Sequence, residues 1–142
     1  MGVMVAFDAP LPAGALARGS RMPHVRLRRL DGSSFDYGDV WQRRNLLLVA
    51  LGAGRARDAD ASWLDALESA RSACEMHEAV VVVTRDAVPG LTAPGVVVAD
   101  RWGEVAFAET ATSVAALPAV ETLVEWLRFV DHACPECEGE AR

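Results

Sequence analysis

Residues 46–52 read Leu-Leu-Leu-Val-Ala-Leu-Gly, and no other stretch limits the fold as strongly. The run is entered from Gln42, Arg43, Arg44 and Asn45 and left through Gly52, Ala53 and Gly54, so it stops before reaching helix length. A short continuous apolar run of this kind suits a strand covered on both faces, as parallel and mixed sheets require. In an open α/β sheet, binding and chemistry collect just past the carboxyl end of such a strand, where loops and helix N-termini converge. Here that position reads Ala53, Gly54, Arg55, Ala56, Arg57, Asp58, Ala59 and Asp60, with no Cys, His or Ser before Ser62. The place that should carry chemistry is chemically quiet.

The rest of the chain supplies partners for this strand. A length of 142 residues fits one domain with a core of its own. Residues 1–21 contain Pro10, Pro12, Gly14 and Gly19 without a sustained period, and read as an irregular arm. Val25 and Leu27 alternate with Arg26 and Arg28, and Asp31-Gly32-Ser33 then turns the chain into residues 34–37, which predicts a β-hairpin. Arg26, Arg28 and Arg29 are expected on its charged outer face, which discourages edge-to-edge pairing. Gly38 to Trp41 predicts a single turn leading into the central strand.

After the quiet loop, Asp58 or Asp60 can cap a helix running to about Met76, with Trp63, Leu67, Ala70 and Cys74 at helical spacing. Residues 79–84 predict a second buried strand, and residues 86–93 are too short for more than a turn of helix. Residues 94–100 and 104–108 predict a hairpin of strands turned by Arg101-Trp102-Gly103. Pro118 is placed in the first turn of a last helix, whose stripe is Val120, Leu123, Leu127 and Val130.

Charge and cysteine usage bound the partners. Twenty acidic against fourteen basic side chains leave a net charge of −6, a field that repels nucleic acid and anionic membrane surfaces. No stretch reaches the roughly 18 apolar residues of a membrane span. Residues 3–7 are apolar but lack a basic flank and are followed by Asp8, which disfavours a secretory signal. Three cysteines, two of them in a C-x-x-C pair, fit a reducing compartment better than a disulfide framework. The expected location is cytoplasmic.

Cys134-Pro135-Glu136-Cys137 is the motif with chemical content. Its spacing suits a redox dithiol, with Cys134 and Cys137 as nucleophile and resolving thiol, or two of the four ligands of a structural zinc. It follows a helix C-terminus, where no helix dipole lowers a thiol pKa. Cys74 and His77 repeat the interval, although Cys74 also fits a small buried hydrophobe on its helix's apolar stripe. His24 precedes a strand and His132 stands where a histidine caps the last helical carbonyls, and neither requires a function. Trp41, Trp63, Trp102 and Trp126 are expected as anchors in the core or at its edge.

The order of strand, helix, strand, short crossover, strand hairpin and helix resembles the thioredoxin fold, and the N-terminal hairpin resembles the extension of peroxiredoxins and related redoxins. Met22-Pro23-His24-Val25-Arg26-Leu27, with Asp31-Gly32 and Tyr37-Gly38-Asp39-Val40, looks like a redoxin opening. Thr92-Ala93-Pro94-Gly95 followed by Val96-Val97-Val98 resembles the thioredoxin stretch that begins at its cis-proline, and the ending in Cys-Pro-Glu-Cys is similar to that of some bacterial redoxin-like proteins. The resemblance covers residues 22–137, leaving 138–142 as a tail. It implies an α/β, thioredoxin-like domain with a mixed central sheet flanked by helices, and a cis bond before Pro94. It also implies that the first and last long helices end at one edge of the sheet. That would bring Cys74, His77, Cys134 and Cys137 into one neighbourhood, a set suited to tetrahedral zinc.

The redoxins place their reactive cysteine at the start of the helix after the central strand. No cysteine occurs between Asn45 and Ala73, so peroxidase chemistry of the usual kind has no residue to carry it. Three functions follow as expectations. The first is a non-catalytic module or accessory subunit that binds another protein, or a second copy of itself, without a cofactor. The second is a thiol–disulfide protein acting through Cys134 and Cys137. The third is a zinc-stapled module.

Overall fold

The computed structural model describes residues 14–54 and 58–133. The apolar run forms β3 (Asn45–Ala50), buried at every position. It pairs in parallel with β4 (Ala79–Thr84), Leu47 opposite Val81, and antiparallel with β5 (Gly95–Ala99), Leu47 opposite Val98. Strand β6 (Val105–Thr110) pairs antiparallel with β5, giving a four-stranded mixed sheet in the order β4-β3-β5-β6. Because β-strand side chains alternate between faces, β3 feeds two cores. Leu47, Val49 and Leu51 enter one, and Leu46, Leu48 and Ala50 enter the other.

The α-helices of the described residues serve the first core: α1 (Asp58–Ser69), α2 (Arg71–Met76) and α3 (Val120–His132). Trp63, Leu67 and Cys74 meet Val120, Leu123, Leu127 and Val130 there, so the stripe read from the sequence is the face that α3 buries. Fully burying one such Leu contributes about 1.5–3 kcal/mol.

The helix expected as one piece to Met76 is two. Ala70 leaves the helical basin with φ −92° and ψ 1°. It does so where the stripe is thinnest, among Ser69, Ala70, Ser72 and Ala73. Pro118 also differs from expectation, since it precedes α3 rather than lying in its first turn. Its carbonyl accepts the Trp63 indole N–H at 3.0 Å, and Ala119 stays extended before the helix starts.

Among the described residues, the second core is covered without any long helix. Strands β1 (Arg26–Arg28) and β2 (Ser34–Asp36) form the expected hairpin, and Tyr37–Asp39 make the single turn as a 3-10 helix. Leu27, Phe35, Tyr37 and Val40 pack on Leu46, Leu48 and Val97. The hairpin is tied to β4, with Leu30 N–H donating to Val83 C=O at 3.2 Å and the Thr84 hydroxyl donating to Arg28 C=O at 2.7 Å. Arg26 and Arg28 face solvent, while the Arg29 guanidinium lies 5.3 Å from the centre of the Phe35 ring.

The crossover between β4 and β5 is a turn in which Leu91 N–H donates to Val88 C=O, and both of these side chains are buried. The described part of the arm lies against it and against β6. Leu16 N–H donates to Gly90 C=O, and Gly19 N–H to Val105 C=O, each at 2.8 Å. Gly90 has φ +82°, and a Cβ there would come within 2.1 Å of the Gly14 carbonyl oxygen, so glycine lets the arm cross.

Candidate functional site

At the carboxyl end of β3 the chain turns through Gly52, whose φ is +82°. The Arg85 guanidinium, at the end of β4, donates to the carbonyls of Gly52 at 3.2 Å and Gly54 at 2.9 Å, and so fixes the start of the loop. The Ala93–Pro94 peptide bond, leading into β5, is cis. A Cβ on Gly52 would stand 3.1 Å from that of Ala93, so the two loops meet closely. Thr112, Ser113 and Val114 close the far side after β6. Together with Leu51, Asp60 and Leu64 these residues line a cleft of about 340 Å³. Its described lining holds apolar carbon, backbone amides, two hydroxyls, the Asp60 carboxylate and one guanidinium, and no thiol or imidazole.

The described cysteine lies elsewhere. Cys74 is fully buried near the end of α2, and burial pushes its thiol pKa up, with Glu75 adding to the rise and Arg71 opposing it. A thiol held protonated in an apolar core is a poor nucleophile and a poor metal ligand. The small-hydrophobe reading of Cys74 describes its surroundings.

The ends of α2 and α3 do meet at one edge of the sheet. His77 Nδ1 lies 3.9 Å from Asp131 Oδ2, and the rings of His77 and His132 are 6.3 Å apart, centre to centre. Arg101 Nη2 reaches Asp131 Oδ1 at 3.0 Å. Buried Asn45 donates its side-chain amide to the His77 carbonyl at 2.9 Å and lies 3.5 Å from Asp131. Cys134 and Cys137 lie outside the described residues, so of the four residues grouped by the sequence only Cys74 and His77 are placed. Among the described residues no group of three or more His, Cys, Asp or Glu side chains is positioned to hold a metal ion.

Sequence reasoning passed over Asp131, Arg101 and Arg85, which look like ordinary surface charges, and assigned His132 only to capping. The last turn of α3 is closed instead by Ala133 N–H donating to Phe129 C=O at 3.0 Å. A signal for this cluster was the polar Asn45 at the head of an otherwise apolar strand. His24 packs its ring against Tyr37 and Trp41, at 5.3 and 5.0 Å. Trp63 is buried, Trp41 and Trp126 are half-buried, and Trp102 is 45% exposed, outside the core.

No family model matches the sequence, and neither does any curated protein. Solved structures do match. The reduced 2-Cys peroxiredoxin of Plasmodium vivax superposes with a TM-score of 0.65 at 12% identity, over 85% of this chain and 83% of that one. The peroxidoxin BcpB of Mycobacterium tuberculosis gives 0.62 at 10% identity, over 81% and 98%. This is a thioredoxin-like fold. A thioredoxin-family thiol:disulfide interchange protein of Chlorobium tepidum matches too, with a TM-score of 0.59 at 10% identity over 82% and 99%. At such identities the likeness concerns the fold alone.

Proposed function

We propose that this chain is a non-catalytic thioredoxin-like module that binds another protein through the cleft beside Pro94. One observation carries the reading: the cleft has no thiol in its described lining, and the sequence has no cysteine from Asn45 to Ala73. The described cysteine is sealed at the far edge with its pKa raised. The cleft retains a shape suited to an extended partner segment, with Leu51, Leu64 and Val114 as apolar floor and the hydroxyls of Thr112 and Ser113 at the side. Most ligand sites combine an apolar lining with a few placed polar groups in this way. The net charge of −6 favours a protein partner over nucleic acid or an anionic membrane surface.

Two measurements test this. The purified full chain, given hydrogen peroxide and dithiothreitol, is expected to consume no peroxide above the buffer rate. Turnover abolished by Cys134→Ser or Cys137→Ser would replace this reading with the thiol–disulfide one. A photo-crosslinker at exposed Ala53 is expected to trap one dominant protein partner in native extract, and Thr112→Arg in the same chain is expected to abolish that product. Equal trapping from Glu121, on the outer face of α3, would count against the cleft.

A further inference from the structure

We infer that the open edge of β4 takes an extended segment of a partner protein as an added strand, one that carries a basic side chain toward Asp65. The inference stands apart from the cleft and does not depend on what binds there.

The main chain prepares this edge. Strand β4 stands at one end of the sheet. Glu78, just before it, and Thr84, its last residue, turn their carbonyls toward β3 and accept the Asn45 and Leu51 N–H groups, each at 2.8 Å. Main-chain groups alternate in direction along a strand, so Val81 and Val83 turn theirs to the opposite side. Leu30 confirms the direction, because its N–H reaches the Val83 C=O from that side at 3.2 Å. The hairpin thus makes one antiparallel rung of a further strand, beside Thr84, and then leaves through the turn at Asp31 and Gly32. Among the described residues no main chain carries that rung on to Val81. Such an edge is a template for an incoming strand, and strand addition is a recurrent way of holding an extended peptide.

The surroundings fix the kind of occupant. Val81 and Val83 line a groove of about 720 Å³ between the hairpin loop and α1. Leu64 and Leu67 supply apolar carbon from α1, and Leu30, 50% exposed, supplies it from the hairpin. Walls on both sides of the strand admit one extended chain and keep out the folded edge of a second copy.

Charge fixes the chemistry. Both guanidiniums of the groove are engaged: Arg71 Nε lies 3.2 Å from Glu68 Oε2, and Arg29 donates to the Ser34 carbonyl at 2.7 Å. Asp31 accepts from the Ser33 hydroxyl at 2.6 Å. Asp65 is exposed, lines the groove and has no ion-pair partner among the described residues. An uncompensated carboxylate beside an apolar slot selects a basic residue among apolar ones, and the net charge of −6 acts in the same direction.

The test titrates the isotope-labelled full chain, followed through its amide NMR signals, with the end-blocked peptide Thr-Val-Lys-Val-Lys-Val-Thr and with its counterpart carrying Glu for Lys. The Lys peptide is expected to shift the amides of Val81 and Val83 and to slow their hydrogen exchange, leaving those of Gly52 and Thr112 unmoved. N-methylating its lysines blocks one main-chain edge of the peptide, and N-methylating its valines blocks the other. One of the two should cost at least about tenfold in affinity and the other little. The Lys peptide should bind about two- to fivefold more tightly than the Glu peptide, the worth of an exposed ion pair. Asp65→Lys, at an exposed position that leaves the core intact, should reverse that order, whereas Glu121→Lys on the outer face of α3 should preserve it. Shifts gathered at Gly52 and Ala93, an order untouched by Asp65→Lys, equal losses from both methylated peptides, or no binding of either peptide at millimolar concentration would each overturn the inference.

Discussion

The side-chain amide of Asn45, fully buried at the head of β3, donates to the main-chain carbonyl of His77 at 2.9 Å. This bond ties the first residue of the central strand to the end of α2, and the same amide lies 3.5 Å from Asp131 on α3. Three elements are thus fixed at one point on this edge of the sheet.

Asn45→Ala is expected to destabilise the fold by roughly 1–3 kcal/mol, the usual cost of leaving a buried polar group without its partner. Asn45→Asp should be worse, because it sets a second carboxylate beside Asp131. Urea unfolding of the three proteins at neutral pH checks the order. Equal midpoints for all three would show that this bond contributes nothing.

The fold was legible where burial imposes a pattern. The run at 46–52 could only be a doubly covered strand, and α3 announced itself through Val120, Leu123, Leu127 and Val130. The bend at Ala70 was not legible, because small residues fit a continuous or an interrupted helix equally well. The seating of residues 14–21 was hidden too, since backbone pairing of Gly19 and Ser20 with Val105 leaves no hydrophobic period. The lack of a cysteine between Asn45 and Ala73 was plain in the sequence, but the cleft itself was not. Nor was the edge cluster, because Asp131 and His77 are 54 residues apart and acquire meaning only when two helix ends are brought together.

Gly90 sets how the arm is held. Gly90→Ala places a methyl where the Gly14 carbonyl lies and strains a backbone at φ +82°. A loss of more than about 1 kcal/mol is expected, as for other alanines forced to positive φ. The arm should also detach, since Leu16 N–H loses its acceptor geometry at Gly90. Trypsin cleavage after exposed Arg18 is therefore expected to accelerate in the variant under native conditions. An unchanged cleavage rate would mean that the contacts of residues 18–22 with Trp102, Gly103, Glu104, Val105 and Trp126 hold the arm without Gly90.

Tyr37 gives the fold a defined alkaline limit. It is fully buried, its hydroxyl has no hydrogen-bond partner among the described residues, and its pKa is pushed up to about 12 by burial first and by Asp100 second, against a smaller opposing effect of Arg21. A tyrosine unfolded in water ionises near pH 10. Between these values the folded chain keeps a proton that the unfolded chain has lost, so the contribution of Tyr37 to stability is complete below about pH 10 and falls as pH rises toward 12. The sequence makes this easy to isolate, because Tyr37 is its one tyrosine and every one of its fourteen basic residues is arginine. Tyrosinate absorbance is expected to appear near pH 12 in the native chain and near pH 10 in urea. Tyr37→Phe should be as stable as the parent, or more so, at neutral pH, since it removes an unpaired buried hydroxyl. It should also lose less stability than the parent between pH 10 and 11.5. A native tyrosinate transition near pH 10 would place the phenol in water and contradict the packing of this core.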